Sequence, residues 1–301
     1  MKYRIGNNEF EAGTAALSLH LRDSNDALNN PEALRARLED DGYLFIRGFH
    51  DRDQVLGVRR EILERLRERG QLAPSYPLMD GIANPNGPQS SASVRGQEDL
   101  KTDSLRALLY SQRSYNFFER LFGAPAQPYK FQWLRAAGPG AGSPIHADLP
   151  YMGRGSHNLC TLWTPLGYLT PEMGPLALCL GSNKWPAVRG EYAHSDVDRD
   201  RHTGVFTNDS DELVSQMGGQ WATTSFEPGD AVILGMYLLH GSLANSSNKF
   251  RISCDTRFQR ADEPMDDRWA GEEPRGHETL WAPGAQIEPV EVSRRRWLAL
   301  N

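Results

Sequence analysis

A chain of 301 residues, 39% hydrophobic and 24% charged, is long enough for one large globular unit, and no apolar run is long enough to span a bilayer. Its formal net charge of −6 lacks the basic stripe that a nucleic-acid partner requires, and Cys160, Cys179 and Cys254 fall inside apolar or alternating segments, which points to reduced thiols and away from structural zinc. No secretory signal follows Met1 and Lys2, so the cytoplasm is the expected compartment, with no membrane partner.

The first 125 residues read as mainly helical. Pro31 after Asn30 opens a helix with Leu34 and Leu38 one turn apart, and residues 42–49 form a short strand. A second helix runs from about Asp53, with Val55, Val58, Ile62 and Leu66 on one stripe, and stops at Gly70. Residues 71–100, rich in Pro, Gly, Ser and Asn, predict an irregular surface loop. A third helix carries Leu105, Leu108, Leu109, Phe118, Leu121 and Phe122 and ends at Gly123.

From residue 127 the period becomes two. Tyr129, Phe131 and Trp133 alternate with Lys130, Gln132 and Leu134, and further strands are expected at 158–164, 175–180, 221–226, 230–240 and 250–259. Short strands with Gly- and Pro-rich turns favour a sandwich or jelly roll over a parallel α/β sheet. We expect one domain, 1–301, with a β core at 126–260, an insertion at 187–220 and a carboxyl-terminal extension at 261–301. The basic run Arg294–Arg296 reads as a solvated helix face or tail.

Three segments carry chemistry. In an extended chain His146 and Asp148 share a face, although such a pair taken alone is more often an ordinary polar contact. His240 lies in 237–242, the polar end of the apolar run 231–236, where period two aligns it with Leu234, Met236, Leu238 and Ser242, and a satisfied core histidine fits that position as well. Arg251 opens a strictly alternating strand that reads as half-buried. A reversal at Asn245–Asn248 pairing Ala244 with Lys249 sets Ser242 opposite Arg251, whose planar fork suits a carboxylate. Two histidines and one carboxylate form the set that holds an oxygen-activating iron(II) with positions left open, and His146, Asp148 and His240 supply it.

His146-Ala147-Asp148, Gly174-Pro175-Leu176 leading to Gly181-Ser182-Asn183-Lys184, Pro228-Gly229-Asp230, and His240-Gly241-Ser242 with Arg251 eleven residues past His240 together resemble the phytanoyl-CoA dioxygenase (PhyH) family over about residues 40–260. The resemblance implies a mainly β fold with flanking helices, the double-stranded β-helix or cupin-like jelly roll. It implies iron(II) on His146, Asp148 and His240 as catalytic ligands, with 2-oxoglutarate and dioxygen as cosubstrates. Arg251 and Ser242 would hold the far carboxylate of 2-oxoglutarate. Thr161 and Trp163 would contact the cosubstrate, although Trp163 serves equally as a core anchor, and Gln132 or Lys130 would help from the preceding strand.

The implied reaction is hydroxylation of an unactivated C–H in a small metabolite, with release of succinate and carbon dioxide. Asp148 favours it over halogenation, for which a small residue replaces the carboxylate, while desaturation and cyclisation share its first step. A cupin-type metalloenzyme without 2-oxoglutarate and a non-catalytic binding protein are the competing readings. The insertion at 187–220, with Glu191, His194, Asp196, Asp198, Asp200 and His202, departs from the family pattern. It reads as a solvated segment near the site, whose carboxylates would suit a cationic substrate.

Overall fold

Alternation of side chains across pleated strands produces two facing sheets, which the computed structural model describes over residues 1–88, 97–278 and 282–298. The chain opens with β1 (Lys2–Ile5), β2 (Asn8–Glu11) and β3 (Leu17–Ser18). It continues through α1 (Pro31–Asp41), β4 (Tyr43–Ile46), α2 (Arg52–Glu68), α3 (Asp103–Leu109) and α4 (Gln112–Phe122). Next come β5 (Ala126–Pro128), β6 (Trp133–Ala137), β7 (Ser143–His146), α5 (Leu149–Met152), β8 (Cys160–Pro165) and β9 (Leu176–Leu180). Last are α6 (Ser210–Ser215), β10 (Gln220–Ala222), β11 (Ala231–Gly235), β12 (His240–Ser242), β13 (Arg251–Arg260) and α7 (Val290–Trp297).

Local chemistry explains most boundaries. The Asn30 side chain accepts from the Ala33 amide, Pro31 occupies the first turn of α1, and Gly42 at φ 78° ends it. The expected third helix is two: Ser111 accepts from the Ser114 amide as a fresh cap, so the stripe is broken after Tyr110. The expected strand over 129–134 is likewise interrupted. The hydroxyls of Tyr110 and Thr256 both donate to the Tyr129 carbonyl, so side chains take a group that a ladder would use. In the predicted loop, bridges pair Leu72 with Ala83 and Ile82 with Lys249, and residues 89–96 lie outside the described residues.

The larger sheet has the order β4-β11-β8-β13-β5, with β6 also on β13, and the smaller has the order β3-β10-β9-β12-β7. Alternation assigns each residue a layer. Tyr43, Phe45, Trp163, Val232 and Leu234 face Leu176 and Leu178 of the smaller sheet. Leu44, Leu162, Ala231 and Ile233 face outward onto α1 and α4, and Leu134, Ile252 and Cys254 face α2 and α3. The outer face of the smaller sheet, with Ala177, Cys179 and Trp221, is covered by the β1–β2 hairpin and by residues of the 187–220 segment and α7. The architecture is a mainly β jelly roll with flanking helices, and it does not close into a barrel.

The expected strand at 230–240 is divided: β11 lies in the larger sheet and β12 in the smaller, and residues 236–239 cross between them. Ser182 secures this crossing. Its hydroxyl donates to Cys179 O at 2.7 Å and accepts from the Leu239 amide at 2.9 Å, immediately before His240. Asp230 secures the other end, accepting from Glu227 N and Gly48 N and pairing with Arg47 at 2.6 Å. Ser182→Ala leaves the buried Leu239 amide unpaired, and we expect a loss of about 1–3 kcal/mol in urea unfolding; stability equal to the parent would show that Ser182 does not hold the crossing.

Candidate metal centre

β7 and β12 are antiparallel neighbours with His146 and His240 in register, so their rings stand 4.4 Å apart between centroids. A register shift follows between His240 and Ser242. Asp148 comes to the same point by another route than shared strand parity. It lies past the end of β7 at φ −74° and ψ −21°, where the chain is already turning into α5. One ligand atom from each of the three side chains lies within 4.8 Å of the others.

The proton positions suit a metal. His146 Nδ1 faces Pro144 O at 2.9 Å and His240 Nδ1 faces Leu238 O at 3.0 Å. A carbonyl only accepts, so each Nδ1 carries a hydrogen, and in the neutral ring that tautomer leaves the lone pair on Nε2. Both Nε2 atoms are 3.9 Å from Asp148 Oδ1, a spacing that one divalent ion can bridge. Burial, then the neighbouring His240, pushes the His146 imidazole down to about 3, which keeps it neutral.

The carboxylate is held by two residues behind it. Thr161 donates to Asp148 Oδ2, and Arg257 reaches the same oxygen at 3.2 Å. Burial acts to raise the Asp148 carboxyl, but Arg257 foremost, with the imidazoles and Thr161, outweighs it and holds the group well below the usual carboxylate range. Arg251, Ser253, Asp255 and Arg257 alternate with Ile252, Cys254, Thr256 and Phe258 along β13. Every residue from Arg251 to Gln259 is buried, so the strand is covered on both faces and not half-buried as expected. Its polar face looks into the sandwich.

That face builds a narrow cavity lined by Arg135, Thr161, Trp163, Leu176, Leu234, His146, His240, Ser242, Arg251 and Asp255. Arg251, 2% exposed, donates to Ser253 Oγ at 2.7 Å and to Ser242 Oγ at 3.4 Å, and its Nε has no partner. No carboxylate of the described residues pairs with it. Burial pushes the guanidinium down to about 10, still charged at neutral pH. Ser242 meets Arg251 as expected, but across the gap between sheets: β12 pairs with β7 and β9, and β13 with β5, β6 and β8, so the proposed hairpin register is wrong.

Trp163 both lines the cavity and packs on Phe226 in the intersheet core. Neither Gln132 nor Lys130 is among the cavity-lining residues; the preceding strand contributes Arg135 instead, bound to Asp255 at 2.5 Å. Arg135, Asp255 and Arg257 were missed from sequence. Period two extended four and six residues beyond Arg251 would have found the last two.

Two histidines and a carboxylate on one point of a jelly roll form the donor set with which non-haem iron oxygenases hold their metal. The phytanoyl-CoA dioxygenase (PhyH) family model matches residues 38–253, and the chain belongs to that family, whose members are iron(II)- and 2-oxoglutarate-dependent oxygenases. The 1-deoxypentalenic acid 11-beta-hydroxylase of Streptomyces arenae is 27% identical over 258 residues, covering 79% of this chain and 84% of that protein. Among solved structures, apo EctD from S. alaskensis matches with a TM-score of 0.55 at 19% identity, covering 90% of this chain and 92% of that one. SnoK, a non-heme alpha ketoglutarate dependent carbocyclase from nogalamycin biosynthesis, matches with a TM-score of 0.55 at 19% identity, covering 86% and 93%. These two structures support the fold.

The 187–220 segment is less solvated than its composition predicts. Tyr192 is buried behind the site, where its hydroxyl accepts from the Ala147 amide at 2.9 Å and donates to Gly204 O at 2.7 Å. It therefore steadies the residue between two candidate ligands. Asp196, Asp198 and His202 are buried, while Glu191 and His194 are exposed. Arg154 forks onto Asp196 at 2.7 and 2.9 Å, and Arg268 from beyond β13 pairs with Asp196, Asp198 and Asp266. Those carboxylates are neutralised internally, so they do not form the open acidic mouth expected from sequence.

Burial opposes ionisation of Asp196, but hydrogen bonds from Arg154 and the Arg199 amide, with Arg268, bring its carboxyl down to about 2. Its unfolded value is ~3.9, so the folded state binds fewer protons in between; the stabilisation is complete above that value and fades as pH falls through the folded one. Arg154→Met should move the acid-unfolding midpoint, followed by circular dichroism, to higher pH, and an unmoved midpoint would remove Arg154 from this role.

Proposed function

We propose that this chain hydroxylates an unactivated C–H bond of a small organic molecule, consuming 2-oxoglutarate and dioxygen and releasing succinate and carbon dioxide. The observation that carries the reading is Arg251, a buried guanidinium without a carboxylate partner among the described residues, facing the same cavity as His146 and His240. A charge so placed is costly unless an anion enters. A dicarboxylate with one end on Arg251 and Ser242 and the other at the metal meets that requirement.

In this reading His146, Asp148 and His240, whose ligand atoms converge, would hold iron(II). Bound iron supplies the oxidising chemistry that couples decarboxylation of 2-oxoglutarate to attack on the substrate C–H. The chain's own residues orient and exclude water. Pro144 O and Leu238 O fix the imidazole tautomers, Thr161 and Arg257 hold the carboxylate, and Trp163, Leu176 and Leu234 close the cavity with apolar surface. Hydroxylation of a small molecule is supported by the Streptomyces hydroxylases that the chain resembles. Three free, buried cysteines suit a reducing cytoplasm, and no helix of the described residues is long and apolar enough to cross a membrane.

Anaerobic addition of iron(II) and 2-oxoglutarate should produce a weak visible charge-transfer band, and a silent spectrum would instead favour a binding protein. Arg251→Met should raise the KM for 2-oxoglutarate at least tenfold, roughly 1.4 kcal/mol or more. Substrate turnover that needs no 2-oxoglutarate would assign the same ligands to another class of metalloenzyme.

A further inference from the structure

The environment of Asp148 is asymmetric. Oδ1 is the oxygen that faces both imidazoles, 3.9 Å from each Nε2. Oδ2 takes the Thr161 hydroxyl and the nearer contact of Arg257, 3.2 Å against 3.4 Å to Oδ1. The donors are matched by strand register, since Arg257 on β13 is the cross-strand partner of Thr161 on β8. From adjacent strands, Thr161 therefore projects onto Oδ2 alone, while Arg257 spans both oxygens and lies nearer Oδ2.

Packing alone does not account for Arg257. It is 2% exposed, its Cζ lies 3.9 Å over the Trp133 ring, and Asp255 is 3.8 Å away. Nε and Nη1 have no hydrogen-bond partner. An apolar side chain of similar length would fill that space without leaving buried donors unsatisfied.

We propose that Thr161, backed by Arg257 on its nearer side, is a positioning residue that occupies Oδ2 and restricts Asp148 to ligation through one oxygen. Carboxylates bind metals through one oxygen or two. A two-oxygen grip would take a coordination position that the cosubstrate and dioxygen need, because this ligand set serves oxygenases by leaving positions open. The inference rests on the reading of His146, Asp148 and His240 as iron ligands.

The test loads the protein anaerobically with iron(II) and 2-oxoglutarate and titrates it with nitric oxide, a probe of an open coordination position, read by electron paramagnetic resonance. Thr161→Val and Arg257→Gln should keep the charge-transfer band while affinity for nitric oxide falls about tenfold or more. Thr161→Ser, which keeps the donor, and Arg257→Lys, which keeps the charge, should recover towards the parent. Parent-like nitric oxide affinity in Thr161→Val overturns the proposal even where Arg257→Gln fails to fold, and so does an equal loss in Thr161→Ser. Iron lost altogether from Thr161→Val also counts against it, since a grip relaxed from one oxygen to two would retain the metal. A parent protein that takes up neither iron nor 2-oxoglutarate overturns the iron reading instead.

Discussion

The antiparallel pairing of β7 with β12 sets His146 beside His240, and the rest of the site depends on that register. A slip of one residue would turn an imidazole to the opposite face of its strand. Several features protect the alignment. Ser182 ties the amide before His240, Tyr192 ties the amide after His146, and the two carbonyls that accept from Nδ1 set the ring orientations. The scaffold thereby brings the two Nε2 atoms to within 3.9 Å of one carboxylate oxygen.

Around that point the sandwich interior is charged where such interiors are ordinarily apolar. Arg135, Asp148, Asp255, Arg251 and Arg257 occupy a layer that elsewhere holds Phe45, Val232 and Leu178. Buried ions are tolerated when they are paired, and four of these five are. Arg135 joins Asp255, and Arg257 joins Asp148. The exception, Arg251, is the group whose requirement for an anion points outside the chain.

A second set of buried charges lies away from the cavity and connects parts that are distant in sequence. Arg268 joins Asp266 to Asp196 and Asp198, and His277 also reaches Asp198. Tyr151 from α5 stands edge-on to His146 on one side and His277 on the other, at 5.3 and 5.8 Å. The segments at 187–220 and beyond β13 therefore pack behind and beside the candidate metal centre.

Local pattern in the sequence was sufficient for the capped helix after Asn30, for the strands that alternate in period two, and for His146, Asp148, His240 and Arg251 as chemically unusual residues. It was also sufficient, through four spaced motifs, for the family. Sheet membership was decided only in three dimensions, because period two is the same whether a strand continues or crosses to the facing sheet; this is why 230–240 was read as one strand and Ser242 was given a hairpin partner. Buried ion pairs were equally hidden. The carboxylates at 196 and 198 have the composition of a solvated run, and only the return of Arg154 and Arg268 from other parts of the chain neutralises them. Which oxygen of Asp148 faces the imidazoles, and which is taken by Thr161 and Arg257, depends on side chains from three strands meeting, and no spacing along one strand encodes that.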